Sequence, residues 1–338
     1  MSASPIRRRA LPAIILLAGL TGCAGSTTTG AYVPAAAAMS HQVLPRAAQS
    51  AQSAGHKILH AARPKDPKDL YVADFADNAV LILKNGSWRD AGAITAGIVW
   101  PQGLFLDKRG NLYVANDLAP NVTEYAPGAM SPSFTYGANM AQPTTVATDA
   151  HGNLFEADAG AAASGFVNEY FQGVNATIES CTPNFNYGGN GGVYGVAVDK
   201  NGDVFVDYRL PGGLTGTIAE YVGGLHGCIA KTLPISLNGP AGMALDASGN
   251  LLVAEAQGGV VDEIEPPYTA INRTIGAGFG APVDVKLSKD NTQAFVTDGG
   301  NQSVTVVDYA SGANVKVLGA ADGLSNVNGA VDGPNAVY

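Results

Sequence analysis

Short apolar runs alternate with polar turns along most of the chain, and one pattern of runs and turns recurs. An apolar run ending in aspartate is followed by a polar turn and a second run of the form Leu-Tyr-Val-Ala-Asp, as at 101–107 with 112–116 and at 240–246 with 251–255. Such self-similarity indicates one supersecondary unit repeated along the chain. Six copies, 42 to 50 residues apart, are centred on Tyr71, Tyr113, Phe155, Phe205, Leu252 and Phe295.

Each copy predicts four antiparallel strands. The first run, such as 195–199, is apolar and β-branched enough for burial on both faces. A polar pair such as Gly110-Asn111 then favours a tight hairpin. The third run alternates, as at 122–125, and the fourth, such as 229–235, carries the charge and proline typical of an outer edge. The sequence therefore predicts an all-β fold, a six-bladed β-propeller of four-stranded antiparallel blades.

The two ends of the repeat region predict how the ring closes. The first copy begins directly at its second strand, 69–74, and lacks a first strand before it. A Gly-Pro-initiated apolar segment at the C-terminus, 333–338, is predicted to supply that strand by pairing with 70–73. Closure of this kind removes the open sheet edges of a linear array.

The N-terminal pattern predicts export. Arginines at 7–9 precede an apolar stretch at 10–20 that is too short to span a membrane, so 1–22 is predicted to be a signal peptide. The segment from Leu20 to Cys23 resembles the lipobox of bacterial lipoproteins, which implies that Cys23 is lipidated. The residue after it is not aspartate, which by the same resemblance implies the outer membrane. The alternative is cleavage near 35–38, which would release the protein.

Charge separates the two remaining regions. Residues 23–66 contain no acidic residue before Asp66 and no periodic apolar face, which predicts a disordered tether. Residues 67–338 are predicted to form the propeller, a single domain expected to be monomeric. From Asp66 onward there are 28 acidic residues and 12 lysines and arginines, a net charge of −16. Such a domain repels phosphate backbones, which argues against nucleic acid as a partner.

The repeated phrase also resembles a known family. Pro-x-Gly-apolar-Ala-apolar-Asp followed by Gly-Asn-apolar-Tyr-Val-Ala-Asp is similar to the NHL repeat over 67–338. This resemblance implies the same six-bladed propeller fold.

Polar residues that end the second runs form the first candidate site. In a propeller these residues gather on the face where the first strands begin, and a ring of carboxylates there could bind Ca²⁺. The alternative is structural, since a residue repeated in every blade often accepts backbone N–H bonds that fix turns. No cofactor is required by the pattern. The six residues are Asp74, Asn116, Asp158, Asp207, Glu255 and Asp298.

Positions that differ between blades form the second candidate site. The residue after the first position of each first strand should point towards the central channel, and Trp100 is predicted to lie at its rim. A few polar and aromatic groups around a pocket are typical of small-molecule sites, although core packing also explains an aromatic there. The candidate positions are Gln102, Thr144, Tyr194, Ala241, Val283 and Asn335.

The cysteines and histidines of the ring carry little catalytic chemistry. Cys181 and Cys228 lie near the outer strands of the third and fourth blades, and in an exported protein such a pair predicts a disulfide, with two separate thiols as the alternative. The ring offers only His151, in a hairpin turn, and His226, in an outer loop. Neither predicts a nucleophile–histidine device.

Two functional hypotheses follow. The first is a lipid-anchored binding or scaffold module whose face presents a site to a protein, a glycan or a small molecule. The second is a metal-dependent hydrolase or lyase, because the gluconolactonase-type lactonases and the streptogramin lyases resemble this chain in architecture. Those lactonases polarise the substrate carbonyl with a divalent ion. The chain lacks the glutamate that they place at the matching start of the closing strand.

Overall fold

The computed structural model describes residues 69–84, 86–160, 165–183, 191–210 and 215–332. Within them, 24 strands form six four-stranded antiparallel sheets, which are the six predicted blades. Blade 1 contains β1 (Leu70–Asp74), β2 (Ala79–Leu83) and β3 (Asp90–Ile94). Blade 2 contains β4 (Pro101–Leu106), β5 (Leu112–Asn116), β6 (Asn121–Tyr125) and β7 (Phe134–Tyr136). Blade 3 contains β8 (Pro143–Thr148), β9 (Leu154–Asp158), β10 (Phe166–Tyr170) and β11 (Thr177–Cys181).

The second half of the ring repeats this plan. Blade 4 contains β12 (Val196–Val198), β13 (Val204–Arg209), β14 (Gly216–Tyr221) and β15 (Lys231–Thr232). Blade 5 contains β16 (Pro240–Leu245), β17 (Leu251–Glu255), β18 (Val260–Ile264) and β19 (Arg273–Ile275). Blade 6 contains β20 (Pro282–Leu287), β21 (Gln293–Asp298), β22 (Ser303–Asp308) and β23 (Ala313–Leu318), and β24 (Val327–Asp332) completes blade 1.

The first strands surround the channel. Contacts run from β24 to β4, β8, β12, β16 and β20 and return to β24. The aspartate that ends the first run holds the hairpin to the second strand: Asp107 Oδ1 accepts the N–H groups of Arg109 and Asn111, both at 2.8 Å. Asp149, Asp199 and Asp246 do the same in their blades. The repeated aspartate is therefore a turn residue at the end of the channel opposite to where the first strands begin.

The C-terminal strand closes the ring as predicted, but it is a different segment. In β24, Asp332 pairs with Leu70 and Gly329 pairs with Ala73, so the predicted assignment of 333–338 to this strand is wrong. Residues 333–338 lie outside the described residues. The recurrent glycine explains the true register, because a Cβ on Gly329 would lie 2.5 Å from the carbonyl oxygen of Gln102. Close approach between neighbouring first strands, rather than the leading proline, therefore defines the segment.

The outer parts of blades 3 and 4 are joined covalently. A disulfide links Cys181, at the end of β11, to Cys228 in the connection between β14 and β15, with 5.3 Å between the two Cα atoms. This confirms the predicted pairing over the alternative of two free thiols. None of the helical segments in the described part of the chain has the length and apolar character that a membrane crossing requires.

Candidate functional site

A cavity lies in the central channel at the end where the first strands begin, which we call the channel mouth. It offers about 80 Å³ to the centres of water molecules, and all six blades contribute to its wall. Its lining comprises Gln102, Gly103, Asp117, Gln142, Thr144, Thr145, Ala159, Tyr194, Arg209, Ala241, Val283 and Asn328.

One ring of this lining comes from the first strands. The structure places five of the six predicted positions in the wall, namely Gln102, Thr144, Tyr194, Ala241 and Val283. The sixth, Asn335, lies outside the described residues, and the corrected register of β24 puts Asn328 in the equivalent place. Trp100 is not among the lining residues. Its ring packs on Phe75 with the ring centroids 4.5 Å apart.

A second ring of residues comes from the ends of the second strands, one position after the residues that align with Asn116. The sequence pattern did not indicate this ring. Each donates its backbone N–H to a carbonyl just before the first strand of its own blade; Asp117 N, for example, lies 3.1 Å from Trp100 O and Arg209 N lies 2.9 Å from Gly192 O. These bonds turn the residues towards the channel mouth, where Asp117, Ala159 and Arg209 reach the cavity wall. The ring consists of Phe75, Asp117, Ala159, Arg209, Ala256 and Gly299.

Arg209 is the most unusual member of the wall. It is only 4% exposed. Its Nε donates to the carbonyl oxygen of Pro240 at 2.9 Å, and its Cζ lies 3.9 Å from the centroid of the Tyr194 ring. Neither of its Nη atoms donates a hydrogen bond to any described residue. The guanidinium is therefore held by one hydrogen bond and one ring contact, and its remaining donors are not used by any described residue.

Asp207 lies one residue out of register with the other five residues of the predicted carboxylate ring, although it too binds the backbone before its own first strand. Phe205 pairs with Ala197 just as Tyr113 pairs with Phe105, so the residue of β13 that matches Asn116 is Tyr208. Because side chains alternate along a strand, Asp207 lies on the opposite face. It is fully buried, and its Oδ1 accepts the N–H of Tyr194 at 3.0 Å.

Burial controls the protonation of Asp207. Desolvation raises its pKa to about 7, and the Arg209 guanidinium opposes this rise only in part. Its Oδ2 is buried without a hydrogen-bond partner. A second buried carboxyl, that of Asp284, raises the pKa of Asp207 further and is itself paired with Lys286. Arg209 therefore has a neighbouring carboxyl that is only partly ionised near neutral pH.

The other five predicted ring residues cap the connections between blades. Asp158 accepts the N–H groups of Ala141 and Gln142, at 2.6 and 2.9 Å, directly before β8. Asp298 accepts those of Gly280 and Ala281 before β20 in the same way. The remaining three bind the backbone before their own first strands: Asp74 to Ser325, Asn116 to Val99 and Glu255 to Asn238. Each of these side chains therefore makes its hydrogen bonds within its own blade.

The capping residues do not converge into a metal centre. Across the described ranges, a search for three or more His, Cys, Asp or Glu ligand atoms close to one another finds only Glu179, Cys181 and Cys228. The two sulfur atoms of that group are bonded to each other. The described residues of the predicted Ca²⁺ ring therefore do not bring three or more carboxylates close to one another.

Blade 3 carries a buried pair of acids that departs from the repeat. Glu156 is fully buried at a position where the second strands of the other five blades have valine. Burial raises its pKa well above the usual range, and Asp158 adds to the rise. Asn168 Nδ2 donates to Glu156 Oε2 at 2.9 Å. Burial therefore favours the neutral form of Glu156, which lies within the sheet and is not among the residues that line the channel mouth.

Comparisons with known proteins identify the fold and no family. No protein-family model and no curated protein matches the chain. A solved nidogen/laminin complex matches with a TM-score of 0.62 at 15% identity, covering 80% of this chain and 99% of that one. A Bacteroides caccae protein of unknown function matches with a TM-score of 0.61 at 12% identity, covering 79% and 99%. Kuenenia stuttgartiensis hydrazine synthase matches with a TM-score of 0.55 at 17% identity, covering 74% and 82%. These likenesses support the β-propeller fold alone.

Proposed function

We propose that this chain is an exported, lipid-anchored binding module that receives a small ligand in the channel mouth. The observation that carries the proposal is the lining of the cavity. Residues needed for folding recur from blade to blade, whereas Gln102, Thr144, Tyr194, Asp117 and Arg209 differ from the residues at the equivalent positions of the other blades. Burying polar and charged groups at a cavity is costly unless a partner satisfies them. The Nη atoms of Arg209 have no hydrogen-bond partner among the described residues, and a ligand in the cavity would supply one.

The size of the cavity sets the size of the bound group. About 80 Å³ is open to the centres of water molecules, so the cavity holds several waters. A small molecule, or the end of a larger glycan or peptide, fits that space. We favour the small molecule because the residues that differ between blades all lie in the wall of this one small cavity.

The anchor is the second part of the proposal. Its support is the lipobox-like segment ending at Cys23 and the predicted tether that follows, both of which lie outside the described residues. Replacing Cys23 with Ser should move the protein from the membrane fraction to the soluble fraction. A Cys23→Ser protein that still sediments with membranes would contradict lipid anchoring.

The second hypothesis, a metal-dependent hydrolase, has no observation in the described residues that favours it. Its mechanism needs a divalent ion held by converging side chains. In the described residues, the His, Cys, Asp and Glu side chains provide no such convergence apart from the disulfide-bonded group around Cys181.

The binding proposal is tested by filling the cavity. The full chain, purified in mild detergent, is screened by thermal melting against a library of neutral sugars, carboxylates, amines and amino acids. A ligand at a hundredfold excess over its Kd stabilises the folded state by about 2.7 kcal/mol, which is a shift of roughly 5 to 10 °C for a domain of this size. The indole of Thr144→Trp should abolish the shift. Thr135→Trp, on the exposed outer strand β7, is the matched control. Shifts that persist in Thr144→Trp, or no shift with any compound, would overturn the proposal.

A further inference from the structure

Arg209 places a guanidinium in the wall of the channel mouth without a carboxylate partner. The ion pairs of the described residues do not include Arg209. Asp207, on the same strand, does not bond to it: Asp207 Oδ1 accepts the N–H of Tyr194, and Oδ2 has no hydrogen-bond partner. The charge of Arg209 is therefore not matched by direct contact with an acidic side chain of the described chain.

The two Nη atoms of Arg209 border open space although the residue is only 4% exposed. Its one hydrogen bond to a described residue uses Nε. The buried polar atoms that have no hydrogen-bond partner in the described part of the chain do not include either Nη atom, so neither is sealed within the protein. Because Arg209 lines the channel mouth, a ligand in that cavity can supply the acceptors that these donors lack.

The shape of the guanidinium favours a carboxylate as that acceptor. Its two Nη atoms form a rigid fork that donates two parallel N–H bonds, and the two oxygen atoms of a carboxylate accept them in one plane. A neutral amide offers a single carbonyl oxygen to the fork and leaves the positive charge without a partner. The contact of the Tyr194 ring with the guanidinium, 3.9 Å from Cζ to the ring centroid, helps to fix the plane of the fork.

The surrounding charge limits the ligand to a single negative charge. The chain carries a net charge of −16 from Asp66 onward, and the acidic Asp117 belongs to the same cavity wall. Both disfavour an anion of higher charge, and salt screens only the more distant part of this repulsion. A monoanion therefore gains most from Arg209 at the smallest cost.

The rest of the wall favours an apolar part on the ligand. Ala159, Ala241 and Val283, from blades 3, 5 and 6, line the same cavity. Such side chains gain from contact with an apolar group, which an inorganic anion does not provide. Since about 80 Å³ is open to the centres of water molecules, the apolar part is a chain of a few carbon atoms.

We infer that the channel mouth binds a short-chain aliphatic monocarboxylate, with its carboxylate on the Nη atoms of Arg209. The inference rests on the proposed function and names the ligand class of the same site.

The test compares two molecules of the same shape that differ in charge. Binding of propionate and propionamide to the full chain in mild detergent is measured by NMR titration at pH 7 and constant ionic strength. We expect propionate to bind about tenfold or more tightly than propionamide, since hydrogen bonds to charged groups are stronger than neutral ones. Sulfate and succinate, which carry two negative charges, should bind more weakly than propionate.

Two substitutions of Arg209 assign the preference to its side chain. Arg209→Gln should remove the advantage of propionate over propionamide while propionamide still binds, which a variant with an unfolded site cannot do. Arg209→Lys retains the charge without the fork, so it should weaken propionate and keep part of its advantage. Arg109→Gln, in the exposed hairpin turn at the opposite end of the strands, is the matched control and should bind propionate as the unmodified protein does.

Three results would overturn the inference: propionamide, sulfate or succinate binding as tightly as propionate; an unchanged propionate affinity in Arg209→Gln; or, if Arg209→Gln does not fold, an unchanged propionate affinity in Arg209→Lys. If propionate does not bind but Thr144→Trp abolishes the binding of another library compound, the carboxylate inference fails and the proposed function stands. If nothing in the library binds, both fail.

Discussion

The buried carboxyl of Asp207 should make the stability of the propeller depend on pH in an unusual direction. Acidic groups in folded proteins usually have lowered pKa values and lose stability in acid. Burial instead raises the pKa of Asp207 to about 7, above its unfolded value of about 3.9. The stabilisation from the neutral form is fully present below pH 4 and is lost as the pH rises through 7.

The magnitude follows from the two pKa values. Between pH 5 and pH 8 the linkage relation gives a loss of roughly 2 to 3 kcal/mol in the free energy of unfolding from this one group. No correction for solvent screening is needed because the side chain is fully buried. Asp207→Asn removes the titration, so its stability relative to the unmodified protein should improve by that amount over the same interval.

Urea unfolding of both proteins at pH 5 and pH 8 measures this difference. Other buried acids, such as Glu156 and Glu255, titrate in both proteins and cancel in the comparison. Asp290→Asn is the control, because hydroxyls of Thr292 and Ser288 lower the pKa of that exposed group and it stays ionised throughout the interval. The reasoning would be refuted if the difference in free energy of unfolding between Asp207→Asn and the unmodified protein were the same at both pH values.

Two further predictions concern the disulfide bond and the closing strand. Replacing Cys181 and Cys228 with Ser should lower the free energy of unfolding in urea by about 4 kcal/mol in the chain-entropy model, since the bond spans 47 residues of sequence; an unchanged urea midpoint would contradict a stabilising bond. Deleting 327–338 should abolish cooperative melting because β1 loses its partner, and it should lower the melting temperature more than deleting 333–338, which leaves β24 in place; equal melting of the two truncations would contradict the register of β24.

The repeat made the architecture predictable. The segments that depart from the repeat are those whose details were predicted wrongly. Blades, hairpins and closure by the C-terminal strand all follow from local patterns that recur. The closing strand was misplaced because Pro334 resembled the leading proline of the other first strands, while Val327 stands in that position. Asn328-Gly329 preserves the more informative part of the phrase, since its glycine is required where neighbouring first strands touch.

The site was only partly predictable because it depends on how the blades meet. The first-strand ring could be located by position within the repeat, and five of its members line the cavity. Asp207 was misassigned because Val204-Phe-Val-Asp lacks the alanine found in Leu112-Tyr-Val-Ala-Asn, a one-residue difference that reverses the face of the strand. Correcting that offset brings Arg209 into line with Asp117, which is the signal that would have revealed the second ring.

The most direct test of the central claim is a crystal structure of the protein soaked with the library compound that raises its melting temperature most. We expect the compound to lie in the channel mouth and to bond to Arg209. A compound found on the outer strands, or at the opposite end of the channel beside the Asp107 turn, would contradict it.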